Sequence, residues 1–242
     1  MPAKQQYGSV WARQAAEESR PPARAGGPSR QQIVRAALEI LDAGGLDALS
    51  MRALGTRLGM GATSIYWYVA NKNELLDLAL DEVFGEIAVP GSALIDWREA
   101  VSVFAHSLRR ALLRHPWSLH ILGRRPNIGP RSMAVTERTY TLFDDAGFHA
   151  DEIDDAVTTV MAYVIGIASA EAGWLETLSA GELSAAEWQA QHEPAIRSAL
   201  RDLPRLRAHY DRKGPSIDPR TGQEERFDYG LGCMLDGLAA RL

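Results

Sequence analysis

The 242-residue chain holds a single cysteine, Cys233, so no disulfide within it can staple the fold. Its setting, GLGCMLDGL, is that of a helix-packing residue and not of a reactive thiol. A metal-binding pattern is lacking as well. None of His106, His115, His120, His149, His192 and His209 lies three or four residues from another, the spacing one helix face would need. No metal and no other cofactor is therefore expected. No stretch reaches the roughly 18 apolar residues of a membrane-crossing helix. The start, MPAKQQYGSVWARQ, has no apolar segment of the kind a secretory signal needs. These absences make a cytoplasmic chain with no membrane partner the expectation. No nucleophile–base pair and no carboxylate constellation emerges, so an enzyme is not expected. Glu171, Glu176 and the Asp151–Asp155 group read as helix-surface charges and an acidic first turn.

Apolar residues make up 46% and charged ones 24%, which allows one large or two small packed domains. The net charge of −5 argues against nucleic acid, but its distribution does not. Residues 1–75 carry nine Lys/Arg against six Asp/Glu, a balance of +3, and the remainder carries −8. A basic front on an acidic body is the asymmetry expected if only the front meets phosphates. Within that front, residues 1–28 read as a flexible basic extension, with Lys4, Arg13, Arg20 and Arg24 against Glu17 and Glu18. Both a solvated tail and an arm lying along DNA fit this composition.

From Ser29 onward helix signals follow one another without a convincing strand, so the fold class is all-α. Ser29 and Gln32 have capping-box spacing, Ile33, Ala37, Ile40 and Leu41 give the helical period, and Gly44-Gly45 predicts a stop. Ser50 suits an N-cap for MRALGTRL, Gly59-Met60-Gly61 breaks that helix, and a third helix is expected over 62–69. Asn71 and Glu74 then cap a longer helix carrying Leu76, Leu80, Val83 and Ile87. Beyond Pro90-Gly91 the pattern predicts helices from Asp96 to Pro116, over 117–122, near 131–145, over 151–178, from Ser184, and over 225–241. Residues 203–225 read as irregular. The apolar run AVTTVMAYVIGIASA predicts a helix buried on most sides.

The stretch SMRALGTRLGMGATSIYWYV has the layout of a helix–turn–helix, in which the second helix presents its N-terminal residues to base edges. Ala62, Thr63 and Ser64 stand there, small or hydroxyl-bearing, suited to thymine methyls and base hydrogen bonds. Tyr66, Trp67 and Tyr68 are consecutive and cannot all face one core. Tyrosine hydroxyls suit phosphate oxygens, and an indole can press on sugar or thymine. Lys72 and Arg52 complete the expected contacts to double-stranded operator DNA, while Ile65 and Val69 face inward.

The segment from Ile33 to Val83, with its signature IYWYVANKNELL, resembles the DNA-binding domain of the TetR family of transcriptional regulators. ALLRHP, LGRRP and the AGF before the long helix are similar to the tetracycline-repressor branch. The resemblance implies a three-helix DNA-binding domain over 29–75 and a larger ligand-binding and dimerisation domain over 76–242. It implies base contacts by Thr63 and Ser64 and backbone contacts by Tyr66, Tyr68 and Lys72. It implies a homodimer acting as a ligand-responsive regulator, a repressor released by a small, largely apolar effector; a regulator without a small effector, or an activator, fits the same DNA chemistry. Candidate effector contacts, chosen as aromatics and isolated polar groups on the body helices, are Phe104, His106, Trp117, His120, Phe143, Tyr163 and Trp174. Where that branch has a magnesium-ligating histidine this chain has Ile121, and the adjacent His120 points about 100° away on a helix. Tetracycline–magnesium is thus not the expected effector.

Overall fold

Capping side chains set most helix starts. In the computed structural model, which describes residues 10–11, 28–91, 93, 95–213 and 219–242 (side chains at 213 and 219–221 excepted), Ser29 accepts from the Gln32 amide. Gln32 returns the bond to the Ser29 amide at 2.7 Å, closing the capping box of α1 (Arg30–Ala48). Regular helix breaks at Gly45, where φ is +68°, and one further turn follows. Ser50 caps α2 (Met51–Arg57), and α3 (Ala62–Ile65) follows. Asn71 caps α4 (Lys72–Phe84), accepting from the Glu74 amide at 3.0 Å. The expected extension 1–28 lies outside the described residues apart from Val10, Trp11 and Pro28, of which Val10 is fully buried.

The body helices are α5 (Trp97–Arg114), a 3₁₀ turn at Pro116–His120, α6 (Pro130–Asp145), α7 (Ala150–Ala180), α8 (Ala185–Ala199), α9 (Pro204–Lys213) and α10 (Pro219–Ala239). No strand occurs among the described residues. The stretch expected to be irregular at 203–225 is instead largely helical. Pro204 fits a first helical turn, where a missing N–H costs nothing, and Arg197 Nη1 reaches from α8 to Asp211 at 3.1 Å.

The chain falls into two compact units, one up to Ile165 and one from Gly166. In the first, α1–α4 surround Ile33, Leu41, Leu54, Ile65 and Leu75, all essentially inaccessible, and each such side chain contributes about 1.5–3 kcal/mol of burial. Phe104, Leu108 and Leu112 of α5 pack inside the same unit, and Trp97, Phe143 and Phe148 form an aromatic cluster with centroids 5.1–6.3 Å apart. Three carboxylates of α4 are buried, Glu74, Asp77 and Asp81, and the last two each meet a partner from residues 123–132. Asp77 accepts from Arg125 Nη1 at 2.6 Å, and Asp81 accepts from the Arg131 and Ser132 amides. Asp81 thereby caps α6, whose own N-cap residue is Gly129. Burial pushes both carboxyls above the ordinary value, opposed by Arg125 at Asp77 and by the backbone amides at Asp81.

Another joint links α1 to the end of α5. Asp42 Oδ1 accepts from the Trp117 indole at 2.8 Å and lies 2.7 Å from His115 Nδ1, while His115 Nε2 sits 3.3 Å from Glu86. The second unit holds the later part of α7 with α8, α9 and α10, around Ala168, Leu200, Phe227 and Leu231.

The long helix α7 departs from expectation. By length and composition it is apolar enough to cross a membrane, and only 28% of its most apolar window is buried. Thr158, Thr159, Ala162, Gly166 and Ser169 are exposed, so it is not buried on most sides. Between Thr158 and Ser169 the exposed residues are short-chained, which gives shallow relief and invites close approach by another surface.

Candidate DNA interface and effector cavity

The helix–turn–helix is built on two glycines. Gly59 takes φ +66°, a left-handed conformation that ends α2 and that side chains disfavour. Gly55, inside α2, lets the turn fold flat against it, with the Met60 amide bonded to the Gly55 carbonyl at 2.9 Å. A methyl at 55 would come within 2.7 Å of the Met60 carbonyl oxygen. Arg57 of α2 pairs with Glu39 of α1 and fixes the two helices' register.

α3 is shorter than the 62–69 helix expected from sequence. After Ile65 the chain tightens into i→i−3 bonds, Trp67 N to Ser64 O and Tyr68 N to Ile65 O, and Val69 N closes on Ile65 O. This tightening spreads the aromatic trio outward. Ile65 and Val69 are fully buried, Tyr68 is half-buried, Tyr66 is 53% exposed and Trp67 83% exposed. Thr63 and Arg52 are exposed, with Ala62 and Ser64 half-buried. Thus one short segment shows two apolar anchors inward and a hydroxyl-rich aromatic face to solvent.

Lys72 has a partner the sequence did not suggest. Its ammonium donates to the Leu46 carbonyl at 2.6 Å, tying the start of α4 to the end of α1. Two of its three donors remain for other acceptors. The first turn of α4 is also occupied by its own caps, since Glu74 accepts from the Ala70 amide at 2.8 Å.

Residues 33–79 match the family model of bacterial regulatory proteins of the tetR family, and residues 90–242 that of the tetracyclin repressor-like C-terminal domain. The chain belongs to the TetR family. An HTH-type transcriptional regulator from Saccharopolyspora erythraea is 37% identical over 96% of this chain and 92% of its own. An HTH-type transcriptional repressor from Streptomyces coeruleorubidus is 36% identical over 86% of this chain and 76% of its own. The crystal structure of the Streptomyces coelicolor TetR family protein ActR in complex with actinorhodin superposes with a TM-score of 0.74 at 33% identity, covering 90% of this chain and 97% of that one. This TetR-family chain is accordingly a transcriptional repressor with a helix–turn–helix domain and a ligand-binding C-terminal domain, and not an enzyme.

The effector residues expected from sequence are spread through the molecule. Phe104, Trp117 and Phe143 are buried in the first unit, Trp117 through its bond to Asp42 and Phe143 within the aromatic cluster. His106 is half-buried with Nδ1 2.8 Å from the Ser102 carbonyl, His120 is exposed, and Tyr163 is half-buried on α7. Trp174 alone of the set borders a cavity of about 370 Å³ in the second unit, whose walls also include Glu171, Trp188, Gln189, Tyr210 and Arg226. Trp174 meets Trp188 edge-on at 4.8 Å, and Trp188 stacks on His192 at 4.1 Å. The Tyr210 hydroxyl donates to Glu193, which raises the tyrosine's pKa and holds the carboxyl's below its usual range.

Two of these wall residues correct the sequence reading. Glu171, expected as a surface charge, is buried. Tyr210 lies on α9, in the stretch whose composition reads as irregular. The Trp174 and Trp188 pair was a usable signal, since two tryptophans on successive helices seldom both face water.

Proposed function

We propose that this chain binds a near-palindromic operator as a homodimer and is released from it by a small molecule. The single observation carrying the DNA reading is the split between buried Ile65 and Val69 and the solvent-facing Tyr66 and Trp67 beside Thr63. In this reading Thr63 and Ser64 read bases with Ala62 giving close approach, Tyr66, Trp67, Tyr68 and Arg52 hold the sugar-phosphate backbone, and Lys72 adds a phosphate contact. The dimer reading rests on α7, whose exposed Ala162, Gly166 and Ser169 would allow a second copy's helix to pack closely. On that reading α7 is a packing helix and not a membrane span, and the chain works in the cytoplasm.

Selection of bound sequences from random DNA tests this. The expected outcome is a two-fold symmetric motif with half-sites about one helical turn apart. Replacing Thr63 and Ser64 together by alanine is expected to change the preferred bases inside each half-site. An asymmetric motif overturns the dimeric operator, and an unchanged motif in the double variant overturns the base-reading assignment.

A further inference from the structure

Three parts of the chain meet at Gly129, the residue before α6. Its φ of −70° and ψ of 158° suit any side chain, so backbone strain does not account for a glycine there. Space does. A methyl at this position would run into the Asp81 carboxylate and come within 2.7 Å of Cζ2 of Trp11. Trp11 therefore stands beside the carboxylate that caps α6, at the point where α4 seats against α6. The seat is fitted further along α4 as well. At Gly85 a methyl would come within 2.5 Å of Cδ of Arg131, whose guanidinium pairs with Glu82. Asp81 is 2% exposed, and its bonds to the Arg131 and Ser132 amides are of the kind that a dry site strengthens and entering water weakens. A half-buried indole at this place keeps water out, and the fully buried Val10 holds the same segment down. Neither reading of residues 1–28 made from composition accounts for this arrangement. A solvated tail has no reason to bury a valine, and an arm lying along DNA has none to set its tryptophan against Asp81 and Gly129.

We propose that Val10 and Trp11 are an internal latch on the joint between α4 and α6: the indole fills the notch that Gly129 leaves open and seals the Asp81 cap, so α4 leaves α6 only when this segment lifts. Seventeen residues, 12–28, separate the latch from Ser29, the cap of α1, and carry Arg13, Arg20 and Arg24. The start of the DNA-binding helices is thus tied to the joint by a second covalent route besides α4 itself. The effect of the latch on operator affinity rests on the operator-binding reading above, and the latch itself does not.

Residue-resolved hydrogen exchange on the full chain tests the latch. In Trp11→Ala the Arg131 and Ser132 amides are expected to exchange at least tenfold faster, while the Leu54 and Met60 amides of the helix–turn–helix keep parental rates. Trp11→Phe, which keeps a ring, is expected to keep most of the protection, and removal of residues 2–14 to reproduce the alanine result. Unchanged exchange at 131 and 132 overturns the latch. So does an equal acceleration throughout the first unit, because the tryptophan is then ordinary packing. Urea melts of Trp11→Ala, Asp81→Asn and the double variant give a second readout. The two changes are expected to be non-additive, and additive effects overturn the seal.

Fluorescence anisotropy with labelled operator, at several salt concentrations, reads the consequence for DNA. A loosened joint leaves only a fraction of chains with α4 in the binding arrangement, so Trp11→Ala is expected to weaken operator binding at least threefold with an unchanged salt slope. Parental affinity beside faster exchange leaves the latch standing and removes its effect on the operator. Weaker binding beside parental exchange overturns the latch and puts Trp11 on the DNA instead. A parent that selects no operator removes the operator reading, and the exchange result then decides the latch alone.

Discussion

Trp67→Ala separates folding from DNA binding at one position. A tryptophan side chain offers up to about 250 Å² of surface. With Trp67 83% exposed, about 200 Å² is available to a partner. If DNA covers half of that, about 100 Å² leaves water, worth about 2.5 kcal/mol at ~25 cal/mol per Å². That is roughly 70-fold in dissociation constant. The same truncation removes almost no packing from the free protein, so the stability change is expected within about 0.5 kcal/mol. Ile65→Ala is the control, because Ile65 is fully buried and its truncation costs about 2–5 kcal/mol. Anisotropy titrations with the selected operator at fixed salt, beside thermal melts, make the comparison. The expected pattern is weak binding with normal melting for Trp67→Ala and lowered melting for Ile65→Ala. Parental affinity in Trp67→Ala would refute the interface, and a large fall in its melting temperature would refute the exposure on which the estimate stands.

Three further outcomes follow from the joints of the first unit. Gly129→Ala places a methyl against the Asp81 carboxylate and the Trp11 ring, so urea melts are expected to show a loss of about 1–3 kcal/mol. Asp42→Ala deprives the Trp117 indole and His115 of an acceptor, and about 1–3 kcal/mol is expected to vanish from the same melts. For Asp81→Asn the test is pH: because burial raises the Asp81 pKa above 3.8, the folded state takes up its proton first, so the parent should gain stability relative to the variant as pH falls from 7 toward 4. A constant difference across that range would contradict the raised value.

Much of the fold was legible because its signals are local. Ser29, Ser50, Asn71 and Ser184 were readable as caps and act as caps, since a side chain three residues from its amide needs no tertiary context. Ile65 and Val69 were readable as the inward pair for the same reason. The length of α3 was not legible, because the switch to i→i−3 bonds after Ile65 depends on how the turn docks against Gly55. Residues 204–213 resist a sequence reading for a related reason. Their composition is loop-like, and what orders them is reach to α8, Arg197 to Asp211 and Tyr210 to Glu193. The burial of Glu171 is likewise a tertiary fact that no spacing within α7 announces.

The same distinction bears on how a ligand signal could cross the first unit. Asp77 and Asp81 stand one turn apart on α4, the helix that starts at the DNA-binding end with Asn71 and Lys72. Each is buried, each has its pKa raised by burial, and each has its partners within residues 123–132, Arg125 for Asp77 and the Arg131 and Ser132 amides for Asp81. A buried charge with its partner costs little net, whereas the same charge with its partner withdrawn costs about 3–5 kcal/mol. A gradual drift of α4 against α6 is therefore disfavoured, because intermediate positions would leave a carboxylate unpaired. Either both bonds hold or α4 moves far enough for water to reach both carboxylates. On the proposed reading, this all-or-none character would let a ligand bias one equilibrium between two arrangements of α4.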